Sequence, residues 1–190
     1  MIDEFRAAGA LLEGHFILTS GRRSPFYLQC ARVLMDPARA GRLCAALASR
    51  VRESHPEARI DAVVAPAMGG ILVGYELARA LGCLSLFTER VEGRFTFRRG
   101  FRLEPGAAVL IAEDVVTTGL SLRECAEAVR AAGASPVGAA ALIDRSNGTA
   151  DIGMRLTALA TIDFPTYAPN EVPPDLAAIP AVKPGSRGLK

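Results

Sequence analysis

Short apolar runs alternate with helical patterns from residue 61 onward, and this alternation limits the fold more than any other feature of the 190-residue chain. The runs are residues 62–65, 84–87, 109–112 and 137–143. Parallel strands that are covered on both faces read as continuous apolar runs with helices between them. We therefore predict an α/β fold with a mostly parallel sheet flanked by helices. Such sheets bind ligands at the carboxyl ends of their strands, so the loops after these four runs are the expected site.

Apolar spacing and capping signals place the helices. Asp36 followed by Pro37 is typical of a helix start, and that helix is expected to end near His55-Pro56. Two more helices are expected within the sheet region. Their predicted apolar stripes are Ile71, Tyr75, Ala78 and Leu81 in the first, and Leu122, Ala126 and Val129 in the second.

The two ends of the chain carry weaker signals. Asp3 can cap a first helix whose stripe reaches Leu12, with Gly14 as its stop. Residues 16–29 are expected to form two extended pieces around a Ser20-Gly21 turn. After Thr161 the sequence turns to prolines and small residues, so residues 164–190 are predicted to be a loosely structured tail of a single domain, residues 1–190.

Lysine is nearly absent, and this excludes several kinds of chemistry. Of 22 basic residues only Lys183 and Lys190 are lysines, so neither a Walker A loop nor a buried Schiff-base lysine has support. Arginine keeps its charge and binds carboxylate or phosphate with a planar fork, which suits anion binding rather than proton transfer. A net charge of +2 without a lysine cluster argues against nucleic-acid binding.

Cysteine spacing and hydropathy indicate the cellular compartment of the protein. The four cysteines are far apart, with no C-x-x-C pair, which argues against a zinc site or a disulfide scaffold. The amino terminus has no secretory leader pattern, and the sequence has no apolar run long enough for a membrane helix. We therefore expect a cytoplasmic protein with reduced thiols and no membrane partner.

The informative motif is residues 109–121, in which a buried strand leads into Glu113 and Asp114 and then into a Thr-Thr-Gly-x-Ser turn that opens a helix. Hydroxyls and free backbone N–H groups at a helix start can cradle a phosphate, and Gly119 lets the backbone approach it closely. The carboxylates would repel that phosphate, so they are expected to accept hydrogen bonds from sugar hydroxyls attached to it. The motif therefore indicates a ribose 5-phosphate site, and the structural alternative is a capped helix after an acidic strand end.

Four apolar residues, two acids, two apolar residues and a Thr-x-Gly-x-Ser turn resemble the phosphoribosyl pyrophosphate motif of the type I phosphoribosyltransferases. Two other segments resemble the orotate phosphoribosyltransferases within that family. Residues 16–27 contain the pattern Leu-x-Ser-Gly-x-x-Ser-Pro-x-Tyr, and residues 142–145 end a strand in Asp-Arg. The resemblance implies the type I phosphoribosyltransferase fold, with residues 1–35 as an amino-terminal hood and residues 88–106 as a protruding flexible loop.

The resemblance implies transfer of ribose 5-phosphate from phosphoribosyl pyrophosphate to orotate, giving orotidine 5′-monophosphate and pyrophosphate, in pyrimidine biosynthesis. It also implies Mg²⁺ as cofactor, with no protein metal ligand predicted, and a homodimer. Arg145 and Thr117 are expected to bind orotate, and Met68 with Gly69 to lie in the pyrophosphate loop. The residues expected to bind phosphoribosyl pyrophosphate are Glu113, Asp114, Val115, Val116, Thr117, Thr118, Gly119, Leu120 and Ser121.

The chain departs from this family in its long loop. Many orotate enzymes place lysines and a histidine there, whereas residues 88–106 contain five arginines and neither of those residues. A lysine is also common in the Ser-Gly region and in the pyrophosphate loop, where Thr19 and Met68-Gly69 stand here. Either a loop arginine supplies the leaving-group charge, or the protein has lost catalysis. The candidates are Arg90, Arg94, Arg98 and Arg99.

Two other functions stay open at this point. One is a phosphoribosyltransferase for another base, purine or uracil. The other is a non-catalytic regulator that senses phosphoribosyl pyrophosphate and binds RNA. The second is weakened because basic and aromatic residues interleave only in residues 94–98.

Overall fold

The computed structural model describes residues 2–18 and 20–184. Its contacts divide the chain into two compact units, one formed by residues 1–35 with 163–190 and the other by residues 36–162. Whether the chain acts as a single functional domain stays a prediction. Within the described residues, no helix is both long enough and apolar enough to span a membrane.

The elements are numbered in chain order. The helices are α1 (Ile2–Ala7), α2 (Cys30–Leu34), α3 (Pro37–Ser54), α4 (Gly70–Leu81), α5 (Leu120–Ala131) and α6 (Pro174–Ala177). The strands are β1 (Leu11–Ile17), β2 (Arg23–Leu28), β3 (Ala62–Pro66), β4 (Leu84–Val91), β5 (Arg94–Phe97), β6 (Ala108–Val116), β7 (Ser135–Asp144) and β8 (Leu156–Thr161).

The larger unit is built on a sheet with the strand order β5-β4-β3-β6-β7-β8 among the described residues. The strands β4, β3, β6, β7 and β8 pair in parallel, and only β5 runs antiparallel to its neighbour. One face, which includes Val64 and Ile111, forms a core with α5, while α3 and α4 contact the same sheet. The predicted α/β fold, mostly parallel and flanked by helices, is confirmed.

The helix α3 begins where its capping signal predicts. The Asp36 side chain accepts hydrogen bonds from the backbone N–H groups of Ala38 (3.0 Å) and Arg39 (3.2 Å), and Pro37 takes the first helical position. These bonds satisfy donors that have no partner within the helix. The helix ends at Ser54, next to the predicted boundary at His55.

The buried face of α4 differs from the predicted stripe. Tyr75 is 60% exposed, whereas the buried residues are Gly70, Val73, Gly74, Leu77 and Ala78. Gly74 explains why this other face of α4 is buried, because a Cβ at Gly74 would lie 2.8 Å from the Cβ of Ala65 on β3. The glycine allows α4 to pack closely on the sheet, and its neighbours on that face become the buried ones.

Several elements were missed or misjudged. The first helix ends at Ala7 rather than near Gly14, because residues 11–17 form β1. The elements α2, β5 and β8 were not predicted. Of the two alternatives for residues 88–106, a loop or a hairpin, the hairpin is observed, since β4 and β5 pair from Thr88↔Phe97 to Val91↔Arg94. The flexibility of this segment stays a prediction.

The smaller unit is organised around the hairpin β1-β2, which surrounds the predicted Ser20-Gly21 turn. The carboxyl-terminal segment pairs with both strands: Val182 forms a parallel bridge with Phe16, and Tyr167 an antiparallel bridge with Arg23. Hence the described part of the predicted loose tail, residues 164–184, is fixed by backbone hydrogen bonds and contains α6. Residues 185–190 and Thr19 lie outside the described residues.

Candidate active site

Glu113 and Asp114 lie within β6, which extends four residues beyond the predicted run, to Val116. Both side chains are half-buried, and both carboxylates accept hydrogen bonds from nearby backbone N–H groups. Glu113 Oε1 accepts from Asp114 N (3.3 Å), and Asp114 Oδ1 accepts from Val115 N (2.8 Å). Burial raises the pKa of Glu113 well above its usual range, and the neighbouring Asp114 charge raises it further. Burial also raises the pKa of Asp114. The pair therefore favours a ligand that donates hydrogen bonds or brings positive charge.

The turn after β3 lies directly against these carboxylates. It contains a cis peptide bond between Ala67 and Met68, and the N–H of Ala67 donates to the carbonyl of Thr88 on β4 (2.8 Å). A Cβ at Gly69 would lie 3.1 Å from both carboxylate oxygens of Asp114. A Cβ at Gly70 would lie 2.9 Å from the carbonyl oxygen of Ala112. Gly70 is therefore required for the turn to approach the end of β6, whereas a Cβ at Gly69 would need the Asp114 carboxylate to shift.

The Thr-Thr-Gly-x-Ser segment forms a small open concavity at the start of α5. Thr118 Oγ1 accepts a hydrogen bond from Leu120 N (3.4 Å), and Gly119 has a φ of 75°, in the left-handed region. A Cβ at Gly119 would lie 2.3 Å from Cγ2 of Ile152. The shape is a cradle of hydroxyls and helix-start N–H groups, which suits a phosphate. Its lining residues are Glu113, Val115, Val116, Thr117, Thr118, Gly119, Leu120, Ser121 and Leu122.

Arg145 follows β7 and is tied to the same motif. Its backbone N–H donates to the carbonyl of Val116 (2.8 Å), the residue before Thr117. Asp144, which precedes it, pairs in register with Val116 and is 4% exposed. The ends of β6 and β7 thus place Thr117 and Arg145 side by side along the sheet edge, as their expected joint role requires.

Two of the four candidate loop arginines are already held in ion pairs. Arg90 lies 4.2 Å above the ring of Phe95 and forms an ion pair with Glu124. Arg99 forms two hydrogen bonds with Glu89, from Nε (3.1 Å) and Nη2 (3.0 Å). The hydrogen bond from Arg99 lowers the pKa of Glu89, and the charge of Arg98 adds to this effect. Arg99 is therefore engaged within the hairpin, and Arg90 is engaged between the hairpin and α5.

Arg94 and Arg98 are exposed, and neither forms an ion pair within the described residues. Their positions along the hairpin differ. Arg94 is next to the tip, paired with Val91, whereas Arg98 follows Phe97, which pairs with Thr88. Thr88 in turn pairs with Pro66, the last residue of β3. Arg98 therefore lies level with the strand ends where the Met68-Gly69 turn begins.

The structure brings most of the predicted residues to one edge of the larger unit. The turn with Met68 and Gly69, the acid pair, the cradle and Arg145 follow or end β3, β6 and β7, whose parallel pairing puts their carboxyl ends together. Arg94 is separated from this edge by the length of β5. Ser20 and Gly21 belong to the smaller unit.

Two residues that support the candidate site were not predicted from the sequence. Ile152 limits the space at Gly119, and Ser146 closes the turn after Arg145 through its N–H and hydroxyl. Ser146-Asn147-Gly148 is a turn signal that was available from the sequence. Ile152 gave no signal, because its contact with Gly119 joins positions that are distant in sequence.

An α/β sheet with an acid pair and a helix-start concavity at the end of one central strand is the arrangement that the phosphoribosyltransferase motif predicts. The phosphoribosyl transferase domain model matches residues 34–166, and the chain belongs to this family. It is 60% identical over 187 residues to an orotate phosphoribosyltransferase of Rhizorhabdus wittichii, covering 98% of this chain and 95% of that protein. It is 58% identical over 190 residues to the orotate phosphoribosyltransferase of Sphingopyxis alaskensis, covering 100% of this chain and 96% of that protein.

Solved structures agree on the fold. The orotate phosphoribosyltransferase from Aeropyrum pernix matches with a TM-score of 0.67 and 28% identity, over 84% of this chain and 92% of that one. Adenine phosphoribosyltransferase from Saccharomyces cerevisiae matches with a TM-score of 0.66 and 19% identity, over 84% of this chain and 99% of that one. The chain therefore has the type I phosphoribosyltransferase fold.

Proposed function

We propose that this enzyme is an orotate phosphoribosyltransferase, which transfers ribose 5-phosphate from phosphoribosyl pyrophosphate to orotate and releases pyrophosphate. The observation that carries this proposal is the edge formed by β6 and β7, where an acid pair, a phosphate cradle and Arg145 are fixed within one backbone network. The full-length similarity to orotate phosphoribosyltransferases supports the choice of base over purine or uracil. The product would serve pyrimidine biosynthesis.

In this proposal the cradle holds the 5-phosphate. The residues from Thr117 to Ser121 offer three hydroxyls and the N–H groups at the start of α5, and the helix dipole favours an anion there. Glu113 and Asp114 accept hydrogen bonds from the ribose 2- and 3-hydroxyls. Such donors offset the cost of keeping the two neighbouring carboxyl groups ionised. The sugar would be held at both ends, which fixes its anomeric carbon.

The reaction then depends on the groups that hold pyrophosphate on one side of that carbon and orotate on the other. The bond to the pyrophosphate oxygen breaks as the carbon becomes oxocarbenium-like, and the bond to the orotate nitrogen forms as that nitrogen gives up its proton to the leaving pyrophosphate or to solvent. Arg145 is suited to bind the orotate carboxylate, because a guanidinium pairs with a planar carboxylate through two parallel hydrogen bonds. The small residues of the Met68-Gly69 turn leave its backbone N–H groups open to an anion, which suits pyrophosphate. Catalysis would come mainly from positioning and charge stabilisation.

Mg²⁺ is the proposed cofactor. The described residues form no cluster of three or more His, Cys, Asp or Glu side chains able to hold a metal. Mg²⁺ keeps several waters and is commonly bound by one or two carboxylates with substrate phosphate oxygens, so this edge fits an ion that arrives with the substrate. The candidate protein ligands are Glu113 and Asp114. When bound, the ion would neutralise charge on the leaving pyrophosphate.

Arg98 is the proposed replacement for the basic residue that the related loops carry. It is exposed, lies level with the end of β3, and is not part of the ion pairs that hold Arg90 and Arg99. Arg98→Ala is expected to lower turnover about 10²-fold, as loss of a pre-organised charge does. Arg94→Ala, nearer the hairpin tip, is the matched control and should keep turnover close to wild type. Equal turnover of wild type and Arg98→Ala would refute this assignment.

We also propose a cytosolic homodimer. The four cysteines are free, in keeping with a reducing compartment. Three large apolar side chains lie along one face of α4 and the turn before it: Met68, Leu72 and Tyr75, which are 83%, 50% and 60% exposed. A second copy of the chain covering this face would bury them. Leu72→Glu should then shift the mass in analytical ultracentrifugation toward that of one chain, and an unchanged mass would contradict this interface.

The decisive experiment follows orotate absorbance with phosphoribosyl pyrophosphate, with and without Mg²⁺. Loss of orotate that requires Mg²⁺ and releases pyrophosphate supports the proposal. Parallel reactions with uracil, adenine and hypoxanthine test the other bases, and turnover of one of them without turnover of orotate would overturn it. Salt-sensitive retention of RNA without pyrophosphate release would instead support the regulator.

A further inference from the structure

We propose that Asp144 is a positioning residue for base recognition, which acts by fixing the backbone that presents Arg145. The inference rests on the proposed function, since it concerns how this enzyme would bind orotate. Asp144 is the last residue of β7, and it pairs in register with Val116 on one side and Thr161 on the other. Its side chain is nearly removed from solvent, with 4% of the residue exposed.

Among the described residues, the side-chain hydrogen bonds to the Asp144 carboxylate come from the turn that follows it. Oδ1 accepts hydrogen bonds from Ser146 N (2.7 Å) and Ser146 Oγ (2.6 Å), and Oδ2 accepts from Gly148 N (3.0 Å). These bonds hold a turn in which Asn147 and Gly148 both have positive φ values, 53° and 78°. Because each bond to an ionised acceptor is stronger than a neutral one, the carboxylate is what keeps this turn in place.

Arg145 lies between two fixed points as a result. On the strand side, its N–H donates to the carbonyl of Val116 at 2.8 Å, next to Thr117. On the turn side, the chain from Ser146 to Gly148 is held by Asp144. An arginine that must meet a small planar carboxylate with two parallel hydrogen bonds tolerates little displacement of its backbone. The acid of the Asp-Arg pair would thus set the direction of the arginine without touching the substrate.

The test compares the Michaelis constants for the two substrates. Asp144→Asn keeps the size of the side chain but replaces one acceptor with a donor that faces Gly148 N or Ser146. We expect it to raise KM for orotate about 10-fold or more, as a small misplacement of a binding group does, while KM for phosphoribosyl pyrophosphate stays near wild type. Ser146→Ala removes only the hydroxyl bond and should give a smaller increase in the same direction.

Asp151→Asn is the matched control, because Asp151 lies in the same connection between β7 and β8 and its carboxylate also accepts from a backbone N–H, that of Gly153 (3.3 Å). It should leave both KM values unchanged. If Asp144→Asn fails to fold, Ser146→Ala decides the matter. An unchanged KM for orotate in the folded variants, or an equal rise in both KM values, overturns the inference. Absence of orotate turnover in the wild-type enzyme would instead refute the proposed function.

Discussion

Replacement of Gly119 by alanine should damage both the stability of the protein and the phosphate cradle. Two costs add. A residue with a Cβ at a φ of 75° loses about 1–2 kcal/mol, because the left-handed conformation brings Cβ close to the backbone. The new methyl would also lie 2.3 Å from Cγ2 of Ile152 and 3.3 Å from Cβ of Ala150, and overpacking of this kind costs about 1–3 kcal/mol. The free energy of unfolding should therefore fall by about 2–5 kcal/mol.

Gly133→Ala provides the matched control for this substitution. Gly133 has a φ of 80°, ends the turn after α5, and has nothing within 4 Å of a built Cβ. It shares the conformational cost but not the contact with Ile152. Urea unfolding of both variants gives the difference directly, and KM for phosphoribosyl pyrophosphate should rise only in Gly119→Ala. Equal losses of unfolding free energy in the two variants would refute the argument that Ile152 enforces glycine at this position.

Three further predictions concern the acid pair, the chain end and a helix cap. Burial raises the pKa of Glu113, so the folded state holds a proton that the unfolded chain releases; the contribution of Glu113 to stability should be fully present below the ordinary carboxyl pKa and be lost as pH rises through the raised value. Glu113→Gln should flatten that profile in urea unfolding and slow turnover. A chain ending at Ala178 should lose the bridge to β1, so limited proteolysis should cut residues 1–35 while the larger unit stays intact. Asp36→Ala should cost about 1 kcal/mol of unfolding free energy, measured in the same way.

The central strands and the candidate site were predictable because their signals are local. Strand β6 begins with a continuous apolar run, and Asp36-Pro37 indicates a helix start within two residues. The edge strands escaped prediction for a physical reason. Strand β5 is Arg-Phe-Thr-Phe and pairs on one side only, so its sequence alternates and carries charge as edge strands do. Strand β8 is the opposite edge strand. Its sequence is short and alternating, and the turn at Ser146-Asn147-Gly148 that precedes it was not predicted.

Non-local pairing explains what the sequence could not supply within the site. The four candidate loop arginines could not be told apart in role from the sequence, and only the structure shows that Glu124 and Glu89 form ion pairs with two of them. Glu124 belongs to α5, 34 residues from its partner Arg90. Likewise, the single stripe predicted for α4 included Tyr75, whereas the close approach of Gly74 to Ala65 buries the face that carries Val73 and Leu77.

The pairing of the chain end with the hairpin β1-β2 has a consequence for the order in which the protein forms. The hairpin β1-β2 is synthesised before the larger unit, whereas its partners, Tyr167 and Val182, are synthesised after it. The larger unit is continuous in sequence, so its contacts can form before the partners of the hairpin β1-β2 have been synthesised. Contacts of such long sequence separation close slowly. A product terminated before Tyr167 would therefore contain the phosphate cradle and the hairpin β1-β2, but not the backbone bridges from Tyr167 and Val182 to that hairpin.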